Sequence, residues 1–327
     1  MHTLLSSFAR LLACALVFGL GGGPALAQGY PTKPITFVVP FTAGGSSDVI
    51  ARLTAEKMGD ALGQRFVIEN VGGAGGAIAL GRVAQAAPDG YTVTIGNAGT
   101  NAAAYTIGTN LKYTPQSFLP VGVVTKTFAI LAVKKDHAAG TLAEFLAYVK
   151  ANPGKVTLGH AGIGSSNYLA CKILLKASGA DITLLSYRGA APALNDALGG
   201  QIDGVCDNAA SVSPSIEGGL VKGLAVAGPQ RLPNLPNVPT APEAGLPEFI
   251  SQGWNVLFVP KGTPEPVIAA LNAALRKTVA DEAFRKRLLE LGTLAAQPEE
   301  ADPAFAQKLV AADIERLRTL LAGEKAN

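Results

Sequence analysis

Short apolar runs that end in glycine-rich loops and pass into helical patterns recur along this chain, and that alternation restricts its fold more than any total does. The β-branched and aromatic run 35–39 reads as a buried strand. Pro40-Phe41-Thr42-Ala43-Gly44-Gly45-Ser46-Ser47-Asp48 follows, and then Ala51, Ala55, Met58 and Leu62 recur at helical spacing until Gly63 stops the pattern. The unit repeats with a strand at 66–69, a loop at 72–76 and a helix at 77–86, after which Pro88-Asp89-Gly90 turns into a strand at 91–95. Alternating strands and helices predict an α/β fold with a parallel or mixed sheet and helices on its faces.

A second series begins after 121–125 with the apolar run 128–133. It continues through a helix at 142–151, a strand at 156–159, the loop Gly162-Ile163-Gly164-Ser165-Ser166-Asn167 and a helix at 168–176. Strands at 184–187, 202–206 and 223–227 and a helix at 191–198 complete it. The proline-rich stretch 231–242 predicts an extended surface segment, 254–259 an apolar strand, and the remainder two helices, the last with Val310, Ile314, Leu317 and Leu321 on one face.

The N-terminus reads as a secretory leader. His2 and Arg10 precede an apolar run at 11–20, and Ala25-Leu26-Ala27 offers a small-residue cleavage site, so 1–27 is expected to be removed after Ala27. The run is too short to span a bilayer, which takes about 20 apolar residues. An exported chain meets an oxidising compartment, where Cys171 and Cys206 either pair or stand apart as small buried hydrophobes; the second reading is the favoured one.

Composition excludes several partners. With 27 Lys+Arg against 24 Asp+Glu there is no basic track for a phosphate backbone, and one Trp with 6% aromatics gives no stacking platform, so nucleic acid is not expected. Catalytic and metal signatures are absent: past the leader there are only His137 and His160, and no G-x-S-x-G, H-E-x-x-H or C-x-x-C. No cofactor and no metal are expected. The glycine loops do not match dinucleotide or P-loop spacing either. Each joins a strand end to a helix start, where free backbone N–H groups and the helix dipole favour an anion, and two such loops in two halves suggest a cleft between them. A competing reading makes the chain an exported serine-dependent hydrolase using Ser165 or Ser166 with His160.

Val39-Pro40-Phe41 with Gly44-Gly45 and Asp48, Glu69-Asn70 with Gly73-Ala74-Gly75-Gly76, Pro88-Asp89-Gly90-Tyr91-Thr92 and Tyr187-Arg188-Gly189-Ala190-Ala191-Pro192-Ala193 occur in an order that resembles the Bug family. Gly200-Gln201-Ile202-Asp203, Pro239-Thr240-Ala241-Pro242-Glu243-Ala244-Gly245 and Pro260-Lys261-Gly262-Thr263-Pro264 extend the resemblance over 30–327. Members are extracytoplasmic solute receptors of tripartite tricarboxylate transporters. The resemblance implies a two-lobed type II periplasmic binding protein fold, two α/β domains joined by crossover hinge strands. Lobe one would comprise 28–128 plus 252–327 and lobe two 129–251, with 128–133 and 254–259 as hinge strands.

The same resemblance implies a periplasmic, non-enzymatic receptor, and a monomer is expected. It would close on a small organic carboxylate and deliver it to the transporter's membrane subunits; a receptor reporting to a signalling partner is the alternative. The implied binding residues are Phe41, Ala43, Gly44, Gly45 and Asp48 in the first loop, Thr100 and Asn101 after the third strand, and Gly164, Ser165, Ser166, Tyr187 and Asp207 in lobe two. Asp48 caps its helix or touches the ligand; Asp207 accepts from a ligand amine or hydroxyl, or braces a loop. Thr42-Ala43 and Cys206 depart from the common pattern beside the implied pocket.

Overall fold

The computed structural model describes residues 29–108 and 110–323. The expected leader and its cleavage point after Ala27 lie outside the described residues. Strand β1 (Ile35–Val39) leads into helix α1 (Ser46–Leu62), which Gly63 ends in the left-handed conformation. β2 (Phe66–Asn70), α2 (Ala77–Ala84) and β3 (Thr92–Asn97) repeat the unit, and a π-helical turn (Gly99–Ala103) runs into α3 (Ala104–Ile107). β2, β1 and β3 are parallel neighbours, as the alternation predicts.

The largest departure from the sequence reading is β4 (Phe118–Lys134). The two runs expected at 121–125 and 128–133 are one continuous strand. From Phe118 to Phe128 it pairs antiparallel with β9 (Gln252–Pro260), and from Ala129 to Val133 with β7 (Gly204–Asn208). Opposite β9 the first stretch takes β10 (Leu294–Ala295), and opposite β7 the second takes β8 (Val221–Val226). β5 (Thr157–His160) and β6 (Thr183–Ser186) complete the order β2-β1-β3-β9-β4-β7-β5-β6. One strand therefore belongs to two half-sheets, and its side chains alternate between cores: Ala129, Leu131 and Val133 join one apolar cluster, and Phe128, Ile130 and Ala132 the other. The chain returns at Ser251, whose N–H donates to Ala227 O and whose carbonyl accepts from Ala129 N. β9 pairs with β3 and the first stretch of β4, so 254–259 belongs to the first half alone.

The second half carries α4 (Leu142–Ala151), α5 (Ser166–Ser178), α6 (Ala190–Leu198) and α7 (Ala209–Glu217). Three helices, not two, close the chain: α8 (Glu265–Ala280), α9 (Glu282–Glu290) and α10 (Pro303–Leu320). Asp281 makes the extra boundary, leaving the helical region and accepting from Phe284 N to cap a new start. The proline-rich segment is less superficial than expected, because Leu232, Leu235 and Val238 turn into the second core.

Cys171 on α5 and Cys206 on β7, favoured above as separate buried residues, are joined by a disulfide with Cα atoms 5.5 Å apart. The helix lies across the strand, a proximity that sequence spacing does not carry. Among the described residues no helix is long and apolar enough to cross a membrane.

Candidate ligand cleft between the half-sheets

The loop from β1 to α1 is held from below by Asp48. Its Oδ2 accepts from Gly44 N at 2.9 Å and Arg52 Nε at 3.0 Å, and its Oδ1 from Asn70 Nδ2 at 2.9 Å. Asn70 also donates to Phe41 O at 3.1 Å. Burial raises the Asp48 pKa, but the hydrogen bonds from Arg52, Gly44 and Asn70 outweigh it and hold the carboxyl below its ordinary value. Asp48 holds the loop instead of capping the helix, whose N-cap is Gly45: its oxygens are engaged by Gly44 N, Arg52 and Asn70. Ala43 and Gly44 are exposed, whereas Phe41 is buried against Ala161 and Ala190 of the second half. Gly45 is the N-cap of α1 and supplies no side-chain cap, so the first-turn amides of Ser46 and Ser47 have no intrahelical partners.

Thr100 and Asn101 are buried in a closed network. Asn97 Oδ1 accepts from Gly99 N and Thr100 N, Thr100 Oγ1 donates to Asn101 Oδ1 at 2.7 Å, and Tyr113 Oη donates to Thr100 O at 2.9 Å. Their polar groups shape the π-helical turn, a kind of irregularity that recurs at functional sites.

On the opposite wall Ser165 caps α5, its Oγ accepting from Tyr168 N at 3.1 Å, and Ser166 Oγ accepts from Asn208 Nδ2 at 3.0 Å. Asn167 Nδ2 donates to Cys206 O at 3.2 Å and Asp207 Oδ1 at 2.6 Å, and Asn208 N donates to the same oxygen at 2.7 Å. Asp207 Oδ2 is buried without a hydrogen-bond partner of good geometry. Burial pushes the Asp207 carboxyl up to about 6, against the lowering effect of the Ser211 hydroxyl, Asn208 N–H and Asn167. The Tyr187 side chain is turned to other work: its ring packs on the second core and its hydroxyl donates to Asp196 Oδ2 at 2.7 Å.

The hydrolase reading fails on geometry. His160 Nδ1 accepts from Gly162 N at 3.1 Å and burial pushes the imidazole down to about 4. Among the described residues neither serine hydroxyl is hydrogen-bonded to His160, and each accepts from another residue.

The glycines do a second job that the sequence reading did not assign. The two halves meet along a seam where a Cβ on Gly72 would lie 2.9 Å from Arg188 O, one on Gly75 would collide with the Ile163 carbonyl, and one on Gly99 would lie 2.7 Å from Gly164 O. Gly75 also has a φ of 61°, so two separate constraints exclude a side chain there. Close backbone approach, and not anion binding alone, accounts for the glycine content of 72–76.

Sequence reasoning missed the asparagines that do most of the bracing. Asn70, Asn97 and Asn208 are the last residues of β2, β3 and β7. An Asn at a strand end before a glycine or helix start is a readable signal, since its short amide can bond the turning backbone. A groove of about 390 Å³ lined by Lys126, Trp254, Glu300, Phe305 and Arg316 shares none of the cleft residues.

The sequence model of the tripartite tricarboxylate transporter family receptor matches residues 50–323. The fold superimposes on the periplasmic binding protein BugD with a TM-score of 0.87 at 37% identity, covering 91% of this chain and 100% of that one. MatC of Rhodopseudomonas palustris, solved with bound malate, gives 0.86 at 40% identity over 89% and 100% of the two chains. An R. palustris protein solved with adipate gives 0.85 at 32% identity over 89% and 97%.

Proposed function

Because the chain belongs to the tripartite tricarboxylate transporter receptor family, we propose that it captures a small organic carboxylate between its half-sheets, closes over it and presents it to the transporter's membrane subunits. It is a solute receptor and not an enzyme, as are the family and its solved members. The working form is a periplasmic monomer from which 1–27 has been removed.

The observation that carries this reading is that a helix start from each half lies at the seam: Gly45, before α1, sits against Ala190 of the second half, and the Ser165–Ser166 start of α5 sits against Gly99 of the first. α1 opens behind Gly45 and α5 behind Ser165, one from each half, and the first-turn amides of each have no intrahelical partner. Positive helix ends at the seam suit a small molecule with a carboxylate at one or both ends, and they do so without a cationic clamp. The solved relatives bind malate and adipate, both dicarboxylates of this kind.

In this reading the backbone of Ala43 to Gly45 with Ser46 and Ser47 takes one end of the ligand, and Gly164 to Ser166 the other. Asp48, Thr100 and Asn101 act as positioning residues, Phe41 closes against the second half, and the unpartnered oxygen of Asp207 meets a donor on the ligand. Tyr187 contributes its backbone only. The moving bodies are 28–128 plus 252–327 and 129–251. That division is supported by β4, which leaves β9 after Phe128 and joins β7 at Ala129, and by the return crossing at Ser251.

Ligand that binds only the folded protein stabilises it by about 2.7 kcal/mol at one hundred times Kd. Ligand-stripped protein is heated with malate, adipate, benzoate and a neutral diol. The carboxylates, and not the diol, are expected to raise the melting temperature, with a drop in radius of gyration on binding. No shift with any carboxylate overturns the proposal.

A further inference from the structure

Beyond the hydrogen bonds already described, one covalent bond touches the second wall of the cleft. β5 pairs with β7 only at Gly204 and Val205, so on that side the strand's last residues have no ladder partner. What ties them there is α5. The Cys171–Cys206 disulfide fixes the second turn of the helix to the strand, Asn167 Nδ2 bonds Cys206 O and Asp207 Oδ1, and Ser166 Oγ accepts from Asn208 Nδ2. Asn167 and Cys171 are four residues apart and share one helix face. Three consecutive strand-end residues are thus pinned to the first two turns of the helix that starts at Ser166. Both cysteines are fully buried, and both lie in the second half.

The geometry points to the Cys171–Cys206 disulfide as a positioning element of the ligand site: it keeps Asp207 and Asn208 in register with the Ser165–Ser166 helix start, so that the cleft wall is set before ligand arrives. The assignment rests on the proposed ligand role of these residues, whereas the local order it predicts does not. Without the bond the side-chain hydrogen bonds and, on the other edge, the ladder to β4 remain, and local opening at this strand end becomes easier.

The test compares the oxidised protein with Cys171→Ala/Cys206→Ala. Hydrogen exchange without ligand is expected to quicken about tenfold or more at residues 163–168 and 206–211, with β1, β3 and β9 unchanged. Titration with malate and adipate is expected to show an affinity loss of about tenfold for whichever binds the parent protein. Unchanged exchange at these segments, or a loosening spread evenly over the chain, overturns the assignment. So does a variant that melts earlier yet keeps the parent's affinity. If the parent binds none of malate, adipate and benzoate, the functional proposal fails on its own, and the exchange comparison still decides the positioning role. Should the double alanine variant not fold, Cys171→Val/Cys206→Ala restores apolar volume and is read the same way.

Discussion

Replacing Gly99 by Ala separates closure from everything else the cleft does. Gly99 begins the π-helical turn and lies outside the left-handed region, so alanine meets no backbone penalty there and gains up to about 1 kcal/mol of helix propensity. The added Cβ would instead press on the backbone of Ser165 and Ser166 and come within 2.7 Å of Gly164 O, all on the opposite half. Backbone cannot rotate aside as a flexible side chain can, so the seam must widen locally by more than about 1 Å to reach ordinary contact distance. Overpacking of this size typically costs about 1–3 kcal/mol, which falls on the closed state alone and corresponds to roughly 5- to 150-fold weaker binding. Isothermal titration with malate and scattering with and without ligand give the two readouts. Gly99→Ala should bind more weakly and compact less, while the unliganded protein melts no earlier than its parent. Gly140→Ala, where the nearest atom to the new methyl is a side-chain oxygen 3.6 Å away, is the matching control. An affinity within about twofold of the parent, with the same ligand-induced compaction, refutes the closed seam as the binding state.

Further outcomes follow from the cleft's charges. Asp48→Ala strands the Gly44 and Asn70 donors and should cost about 1–3 kcal/mol of stability with weaker ligand binding; Arg52→Ala, removing a half-exposed partner, should cost under about 1 kcal/mol. Equal losses in urea titrations would contradict the bracing role. The folded-state pKa of Asp207 is raised from 3.8 to about 6, so its burial is tolerated at acid pH and becomes a cost as the pH rises from about 4 through 6. Asp207→Asn should therefore gain about 3 kcal/mol on its parent between pH 4 and 7. His160 runs the other way, because its folded value is lowered from 6.5 to about 4 and stability is lost as the pH falls through that window. His160→Gln should escape about 3 kcal/mol of that loss. Denaturation of the variants at pH 7, 5.5 and 4 checks both signs, and parallel curves for parent and variant would refute the burial argument.

Most strands and helices were legible, while α7 (Ala209–Glu217), the turn into α3 and β10 were not read. β1 and α1 lie at the expected positions because β-branched runs and helical spacing are local signals, and the Gly63 stop is a local conformational need. Where 121–125 and 128–133 were read as separate runs, the sequence lacked the cue that decides: whether the chain stays extended through Lys126 and Thr127 depends on β9 and β10 lying on either edge. The extra boundary at Asp281 was a local signal that went unread.

Of the cleft, sequence identified the loops but not the division of labour within them. Asp48, Thr100 and Asn101 were grouped with ligand contacts, yet the Asp48 carboxylate is engaged by Gly44, Arg52 and Asn70, and the Thr100 hydroxyl by Asn97 N and Asn101 Oδ1. Which donor remains for a ligand is a matter of what else lies within about 3 Å, and spacing along the chain does not contain that.

Taken alone, the sequence determined the α/β alternation, the two anion-friendly loops, the lack of catalytic and metal signatures and the ordered motifs of the family, since each depends on residues a few positions apart or on residues present or missing. Tertiary structure decided the rest. It joined Cys171 to Cys206, set Gly75 and Gly99 against the opposite half, and turned Tyr187 toward Asp196. The disulfide and the glycine contacts join segments distant in the chain, and the seam at Gly75 and Gly99 exists because β4 carries both half-sheets and sets them against each other.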